Sequence, residues 1–330
     1  MAARQGTPGL GVLAQRTCGR SEHLHPKKWT VSLGYRYQPS HRHFSGDVEN
    51  VSRARLHTEI YNLYHLFDLS VERQVTPRWS VFGSVPVMFA HRNQLYAPSA
   101  KYVVNGFGDL ALGARAWVFK PPTESGDNIS VGLALKMPTG KDNSSQKAVL
   151  NGQVITATAD QSIQAGDGGW GASLDVQGYK RVPKTNAEFY VAGLYLFNQG
   201  GTNGVFTFRT SPKLHHLEDY MSIADQYLIR AGFGHAVAKV PGLGVSFGAR
   251  LEGVPVHNLF GSSAGFRRPG YALSLDPGLL YTRHNETFSC NIPWAVRRDR
   301  LKSVADIKNG LHGDAAFADY ALMFSLSHRF

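Results

Sequence analysis

Eight basic and eight acidic side chains of this chain fall at alternating positions inside short apolar runs. The basic ones are Lys28, Arg36, Arg115, Lys136, Arg181, Arg230, Arg250 and Arg329. The acidic ones are Asp68, Glu72, Asp109, Asp175, Glu188, Glu252, Asp276 and Asp319. Ionised groups on one face of a strand can line a water-filled interior and select solutes by size and charge. They can equally bond one another and brace a narrow interior, because a buried ion needs a partner to offset its desolvation. The signs balance, so the residues leave both uses open. The candidate lining set is Arg36, Asp68, Asp109, Arg115, Lys136, Asp175, Glu188, Arg230, Arg250 and Glu252.

Other chemistry finds less support. Gly106-Phe-Gly-Asp109 matches part of a dinucleotide fingerprint but lacks the third glycine and a following helix. Pro138-Thr-Gly-Lys141 matches the end of a phosphate loop without its upstream glycine. Both read as turns at strand ends, and no cofactor is expected. His41, His43 and the His215-His216 pair read as solvated loop residues, since no Cys or paired carboxylate completes a zinc site at standard spacing. Cys18 and Cys290 form no disulfide framework.

The elements that hold the charges have a period of two. Trp29, Val31, Leu33, Tyr35 and Tyr37 alternate with Thr30, Ser32, Gly34 and Arg36, which puts apolar side chains on one face and polar or small ones on the other. The pattern recurs to give twelve candidate strands, the last running through Tyr320, Leu322, Phe324 and Leu326. Each is long enough for a tilted span of roughly 9–11 residues. The connections alternate. Those at 38–60, 90–106, 138–169, 198–225, 253–269 and 297–316 are long, and those at 76–78, 120–127, 182–186, 237–242 and 284–286 are short. An up-and-down barrel with one loop side and one turn side has this pattern.

The apolar face carries almost no charge, the reverse of a soluble barrel, whose apolar side chains point inward. The fold expected is therefore all-β, an up-and-down antiparallel transmembrane β-barrel of about twelve strands. Met88 and Met323 fall on its inner face. Pro277 and Pro293 sit inside strands and mark bulges or displaced strand ends.

Composition agrees. The 330 residues include 35 Gly and 16 Pro, and charged residues make up only 18%. No run of 18 or more apolar residues occurs, which excludes helical spans. The net charge of +11 comes from Lys and Arg spread along the chain, without the stripe that nucleic-acid binding requires. Loop residues Arg53, Arg55, Arg267, Arg268, Arg297, Arg298, Arg300 and Lys302 carry much of the excess and are suited to anionic lipopolysaccharide. Residues 1–27 form no clear export signal: Gly9–Ala14 is shorter than the usual apolar core. They read as a tail, with the barrel at 28–330.

The final strand closes on Phe330, which resembles the terminal assembly signal of bacterial outer-membrane barrels and implies the barrel-assembly machinery as a partner. Four short motifs extend the likeness: Gly106-Phe-Gly-Asp-Leu110, Leu135-Lys-Met-Pro-Thr-Gly140, Gly166-Asp-Gly-Gly-Trp170 and Ala172-Ser-Leu-Asp-Val176. Their order and spacing resemble the meta-pathway phenol-degradation family, outer-membrane transporters distantly related to fatty-acid transporter barrels. The resemblance spans roughly residues 60 to 330. It implies a channel in the bacterial outer membrane for passive uptake or efflux of small solutes, apolar and aromatic ones among them, in contact with outer-membrane lipid. The chain lacks the long apolar N-terminal region of a lumenal hatch, which argues against lipid transport.

Two alternatives follow the channel. One is a structural or adhesive barrel that moves nothing. The other is a lipid hydrolase, which would need Ser and His together on the lipid face; His65 and His328 face outward there, without an identifiable orienting residue. In a channel, Arg36, Arg115, Arg230 and Arg250 are expected on one part of the inner wall and Asp109, Asp175 and Glu188 on another. That arrangement would set a transverse field across a narrow path of weak ion selectivity.

Overall fold

The alternating runs form one closed wall. The computed structural model describes residues 28–95, 98–119, 127–208 and 216–330; the tail assigned to 1–27 with Cys18, most of the turn at 120–127, and His215 lie outside them. In chain order the strands are β1 (Trp29–Ser40), β2 (Arg42–Ser45), β3 (Val48–Glu49), β4 (Tyr61–Gln74), β5 (Trp79–Gln94), β6 (Ala100–Phe107), β7 (Leu110–Trp117), β8 (Asn128–Met137), β9 (Ser145–Leu150), β10 (Gln153–Thr158) and β11 (Gly171–Arg181). There follow β12 (Ala187–Asn198), β13 (Thr202–Phe206), β14 (Tyr220–Ser222), β15 (Gln226–Ala236), β16 (Leu243–Val254), β17 (Gly270–Leu275), β18 (Gly278–Arg283), β19 (Glu286–Asn291), β20 (Trp294–Asp299), β21 (Ala315–Phe317) and β22 (Leu322–Arg329).

Twelve wall strands arise because three of them are split: β6 continues as β7, β17 as β18, and β19 as β20. Every neighbouring pair is antiparallel. The barrel closes where β22 pairs β1, from Thr30 opposite Arg329 to Tyr37 opposite Leu322. Closure leaves no strand edge facing hydrocarbon, where an unbonded amide costs several kcal/mol.

The prolines sit at two of the splits. Neither ring nitrogen can donate, yet the wall stays bonded across the breaks: Asp276 N donates to Gly248 O at 2.8 Å and Ile292 N to Pro277 O at 3.1 Å. The third split, at Gly108 and Asp109, corrects the connection expected at 90–106. Most of that stretch is wall, because β5 runs on to Gln94 and β6 pairs it from Val87 opposite Phe107 to Gln94 opposite Ala100. The phase of the alternation inverts at the split. Tyr102 and Val104 turn inward at even positions and are buried, whereas Ala111 and Arg115 do so at odd ones.

The other long connections also carry structure. β9 and β10 form a hairpin, β13 pairs β14, and β21, β2 and β3 form a small sheet at the loop end. The connection between β8 and β11 folds into the barrel mouth. Its Ala148, Ala157, Ala159 and Ile163 pack on Met88, Ala90, Tyr102 and Val104 of the inner wall. Met88 and Met323 are both buried inside, as their positions in the alternation require.

The outer face is apolar and exposed, with Leu133 at 64%, Phe189 at 60% and Ile229 at 50%. Such a surface suits hydrocarbon, and aromatics crowd its rims as they do in membrane barrels. Trp29, Trp79 and Phe330 lie at the turn end, where Arg73 stacks on Trp29 at 5.2 Å. With the turn end periplasmic, cysteine introduced at the exposed position Asn143 should label on intact cells, and cysteine at Lys184 should label only after permeabilisation. The reverse pattern would invert the barrel.

Candidate lumenal site

Three glycine-bearing motifs that are distant in sequence meet at one point on the inner wall. A Cβ on Gly140 would lie 2.9 Å from the Cα atoms of Gly108 and Gly166, so only glycine permits the contact. Around it, Asp109 accepts from Gly140 N at 3.0 Å and Asp167 N at 3.3 Å. Lys136 Nζ donates to Asp109 at 3.4 Å and also to Asp167. Asn198 donates to the second Asp167 oxygen at 3.1 Å. Asp109 and Lys136 thus fasten the connection between β8 and β11 to the wall. Asp167, absent from the candidate set, is the third member, and only its place beside a glycine motif hinted at a role.

A second cluster braces the opposite wall. Asp276, in the break between β17 and β18, accepts from Arg230 Nε at 2.7 Å, Arg250 Nε at 3.4 Å and Asn291 Nδ2 at 3.1 Å. Arg250 reaches on to Glu252 at 3.4 Å, and Arg36 grips Glu252 with both Nη atoms, at 2.5 and 3.2 Å. Arg230, Arg250 and Asp276 are at most 2% exposed. Ions so buried persist only with bonded partners of opposite sign.

A third group joins Arg115 to Asp175, through Nη2 at 2.5 Å and Nε at 3.0 Å. Glu72 stands 3.9 Å from the same guanidinium, which stacks over Phe82. The structure brings Arg36, Arg230 and Arg250 together around Glu252 and Asp276, whereas Arg115 lies among acidic residues. Asp68 lies opposite Gly34 and Pro86 in the register. Glu188 is fully buried opposite Arg181, and its carboxylate oxygens make no hydrogen bond among the described residues.

Between these groups lies a cavity of about 610 Å³. Tyr64, Leu66, Phe82, Met88, Leu194 and Leu196 supply its apolar lining, with Arg36, Asp109, Arg115, Lys136, Asp175 and Glu252 among its polar residues. At its mouth, Asp160 is held bidentately by Arg268, both bonds 2.6 Å, and by Arg92 at 3.3 Å. Burial pushes the Asp160 carboxyl up, but Arg268 and Arg92 outweigh it and hold the group well below the usual carboxylate range. A smaller cavity of about 270 Å³ above it is lined by His43, Arg53, Arg92, Arg268 and Asp314.

Several loop residues depart from expectation. His43 is buried, not solvated, and burial pushes its imidazole down to about 4. Arg267, Arg298 and Arg300 are buried as well, and Arg53 pairs Asp314. These guanidiniums bond loop carboxylates and carbonyls, so the basic surface expected for lipopolysaccharide shrinks to residues such as Arg55, Arg297 and Lys302. On the lipid face, His65 bonds the Tyr35 hydroxyl at 2.9 Å. His328 bonds Glu286 at 2.5 Å, a carboxylate the sequence did not identify as its partner.

No protein-family model and no curated protein matches the chain. Among solved structures, it is similar to an outer membrane channel from Pseudomonas putida F1, with 12% identity, a TM-score of 0.61, and coverage of 94% of this chain and 98% of the other. It is also similar to the β domain of the Bordetella autotransporter BrkA, with 14% identity, a TM-score of 0.50, and coverage of 92% of this chain and all (100%) of the other. What is shared at these identities is the barrel fold.

The fastening at Asp109 can be tested through its cation. Lys136→Met leaves Asp109 and Asp167 facing each other without a positive charge, and breaking such a pair costs about 3 kcal/mol. The urea midpoint of the heat-modifiable barrel should fall accordingly. Combining Lys136→Met with Asp109→Asn and Asp167→Asn should recover most of the loss.

Proposed function

We propose that the chain is a passive channel of the bacterial outer membrane for small uncharged solutes, with apolar and aromatic molecules in its range. The observation that carries this reading is a lumenal cavity of about 610 Å³, enclosed by a wall whose outer face is apolar. That size suits a small organic molecule. The inner charges are mostly neutralised in pairs, so little net potential remains to select bulk ions.

The pairing is incomplete in a patterned way. Arg36, Arg230 and Arg250 meet two acids, Glu252 and Asp276, leaving positive charge toward β1, β15 and β16. Arg115 meets Asp175 and Glu72, and Lys136 meets Asp109 and Asp167, leaving negative charge toward β4, β7, β8 and β11. A weak transverse field across a narrow lumen favours polarizable neutral solutes over ions. The structural neighbour from Pseudomonas putida F1 is an outer membrane channel, which accords with this reading. The terminal Phe330 is read as the residue presented to the assembly machinery. Its amide donates to Trp29 O at 2.9 Å, and its ring is exposed at the turn-end rim.

In planar bilayers the refolded protein should show small conductance with little ion preference. Arg115→Ser should raise conductance and shift preference toward cations, since Asp175 and Glu72 lose their counter-charge; an unchanged ion preference would remove Arg115 from the path. Deleting Phe330 from a chain supplied with an export signal should leave misfolded protein in the periplasm. Normal amounts of heat-modifiable barrel would count against its role.

A further inference from the structure

Six hydroxyl side chains stand in register on six consecutive wall strands. Ser84 of β5 lies opposite Ser70 of β4, which lies opposite Ser32 of β1. Ser32 lies opposite Ser327 of β22, which lies opposite Thr287 of β19, and Thr287 lies opposite Thr282 of β18. All six fall on the inward phase of their strands. The Thr282 and Thr287 hydroxyls are 3.3 Å apart.

The row is a staircase. Its members stand five, four, three, two, one and one residues from the turn-end limits of their strands. A row perpendicular to tilted strands climbs the barrel axis. Five steps of about 4.8 Å at a tilt of about 40° cover roughly 15 Å, half of a hydrocarbon core of about 30 Å. The upper end, Ser84, lines the cavity, and the lower end reaches the turn-end rim.

The staircase is also where the lower lumen has room. Ser84, Ser70, Ser32, Ser327 and Thr287 are half-buried residues, and Thr282 is buried against Thr287; a solute can reach these inward side chains only from the lumen. The facing wall is filled instead, with Tyr179, Tyr190, Glu188, Arg230 and Arg250 all buried. Between the staircase and the cavity floor, Gly34 opposite Ser325 keeps the wall low.

We propose that this staircase is the solute path through the turn-end half of the lumen, and that it serves small uncharged solutes bearing a hydroxyl group. The inference rests on the channel reading and narrows its solute class. Each Ser or Thr hydroxyl both donates and accepts, so a solute O–H can exchange water for protein partners at the five half-buried steps from Ser84 to Thr287. The row itself is neutral, and the inward charges that flank it, Asp68 and Glu72 beside Ser70 and Arg329 beside Ser327, are of opposite sign, so an ion of either sign would lose hydration without a consistent partner along the row. A hydrocarbon gains no hydrogen bond from the row.

The test uses Ser32→Cys in a Cys18→Ser, Cys290→Ser background, refolded into liposomes and checked by heat-modifiable migration. Cysteine is nearly isosteric with serine, so the barrel forms before it is obstructed. Swelling should be faster in propanediol than in propionate. Reaction of the assembled protein with benzyl maleimide should reduce propanediol entry to the protein-free rate. Ser327→Cys should behave alike, and lipid-facing Leu33→Cys should keep its entry rate after the same treatment. If the unreacted protein admits neither solute, the channel reading fails and the staircase with it. If propanediol enters but reaction at Ser32→Cys and Ser327→Cys leaves entry unchanged, the staircase is wrong while the channel stands. Equal entry of propionate and propanediol would overturn the solute class.

Discussion

A backbone amide in hydrocarbon has no water to bond, and the architecture follows from that constraint. Each wall strand must find partners on both edges, so the sheet closes on itself at β1 and β22. Closure then assigns every second side chain to lipid and the rest to the lumen. The same requirement explains the proline breaks. Pro277 and Pro293 remove two donors, and the backbone around them is bonded across the gap by neighbouring amides and carbonyls.

The lumen inherits a different constraint. An arginine placed in a narrow interior needs a carboxylate, because otherwise desolvation of the charge dominates. Arg230 and Arg250 therefore converge on Asp276, and Arg36 on Glu252. These clusters fill one wall, and the Asp109, Lys136 and Asp167 group pins a loop inside the mouth. Space is left where side chains are small. The interior is thus asymmetric, with an ionic, packed wall facing a hydroxyl-lined one, and on the proposed channel reading this asymmetry confines a solute to one side.

Much of this was legible in the sequence. The period of two is visible in Trp29 through Tyr37 because lipid and lumen impose opposite polarity, and the alternation of long and short connections marks the two ends. Pro277 and Pro293 marked the breaks directly. The inversion at Gly108 and Asp109 was not legible as strand, since a change of phase mimics the end of a pattern. Nor was the burial of Arg267, Arg298 and Arg300, because a charged loop residue looks the same whether it meets water or a folded-in neighbour. The ten candidate lining residues stood out by their place in the alternating runs, yet their pairing depends on register and tilt, which distant strands do not encode locally. Asp160 and Asp167 escaped for a related reason: they reach the lumen from a loop, outside any alternating run.

The central claim is that one face of each strand meets lipid and the other a hydrated lumen. A nitroxide scan along β1, one spin label at each position from Trp29 to Ser40, tests it most directly. Accessibility to oxygen should peak at Val31, Leu33, Tyr35 and Tyr37, and accessibility to a water-soluble nickel complex at Thr30, Ser32 and Gly34. A profile without this alternation, or one of opposite phase, would contradict the account.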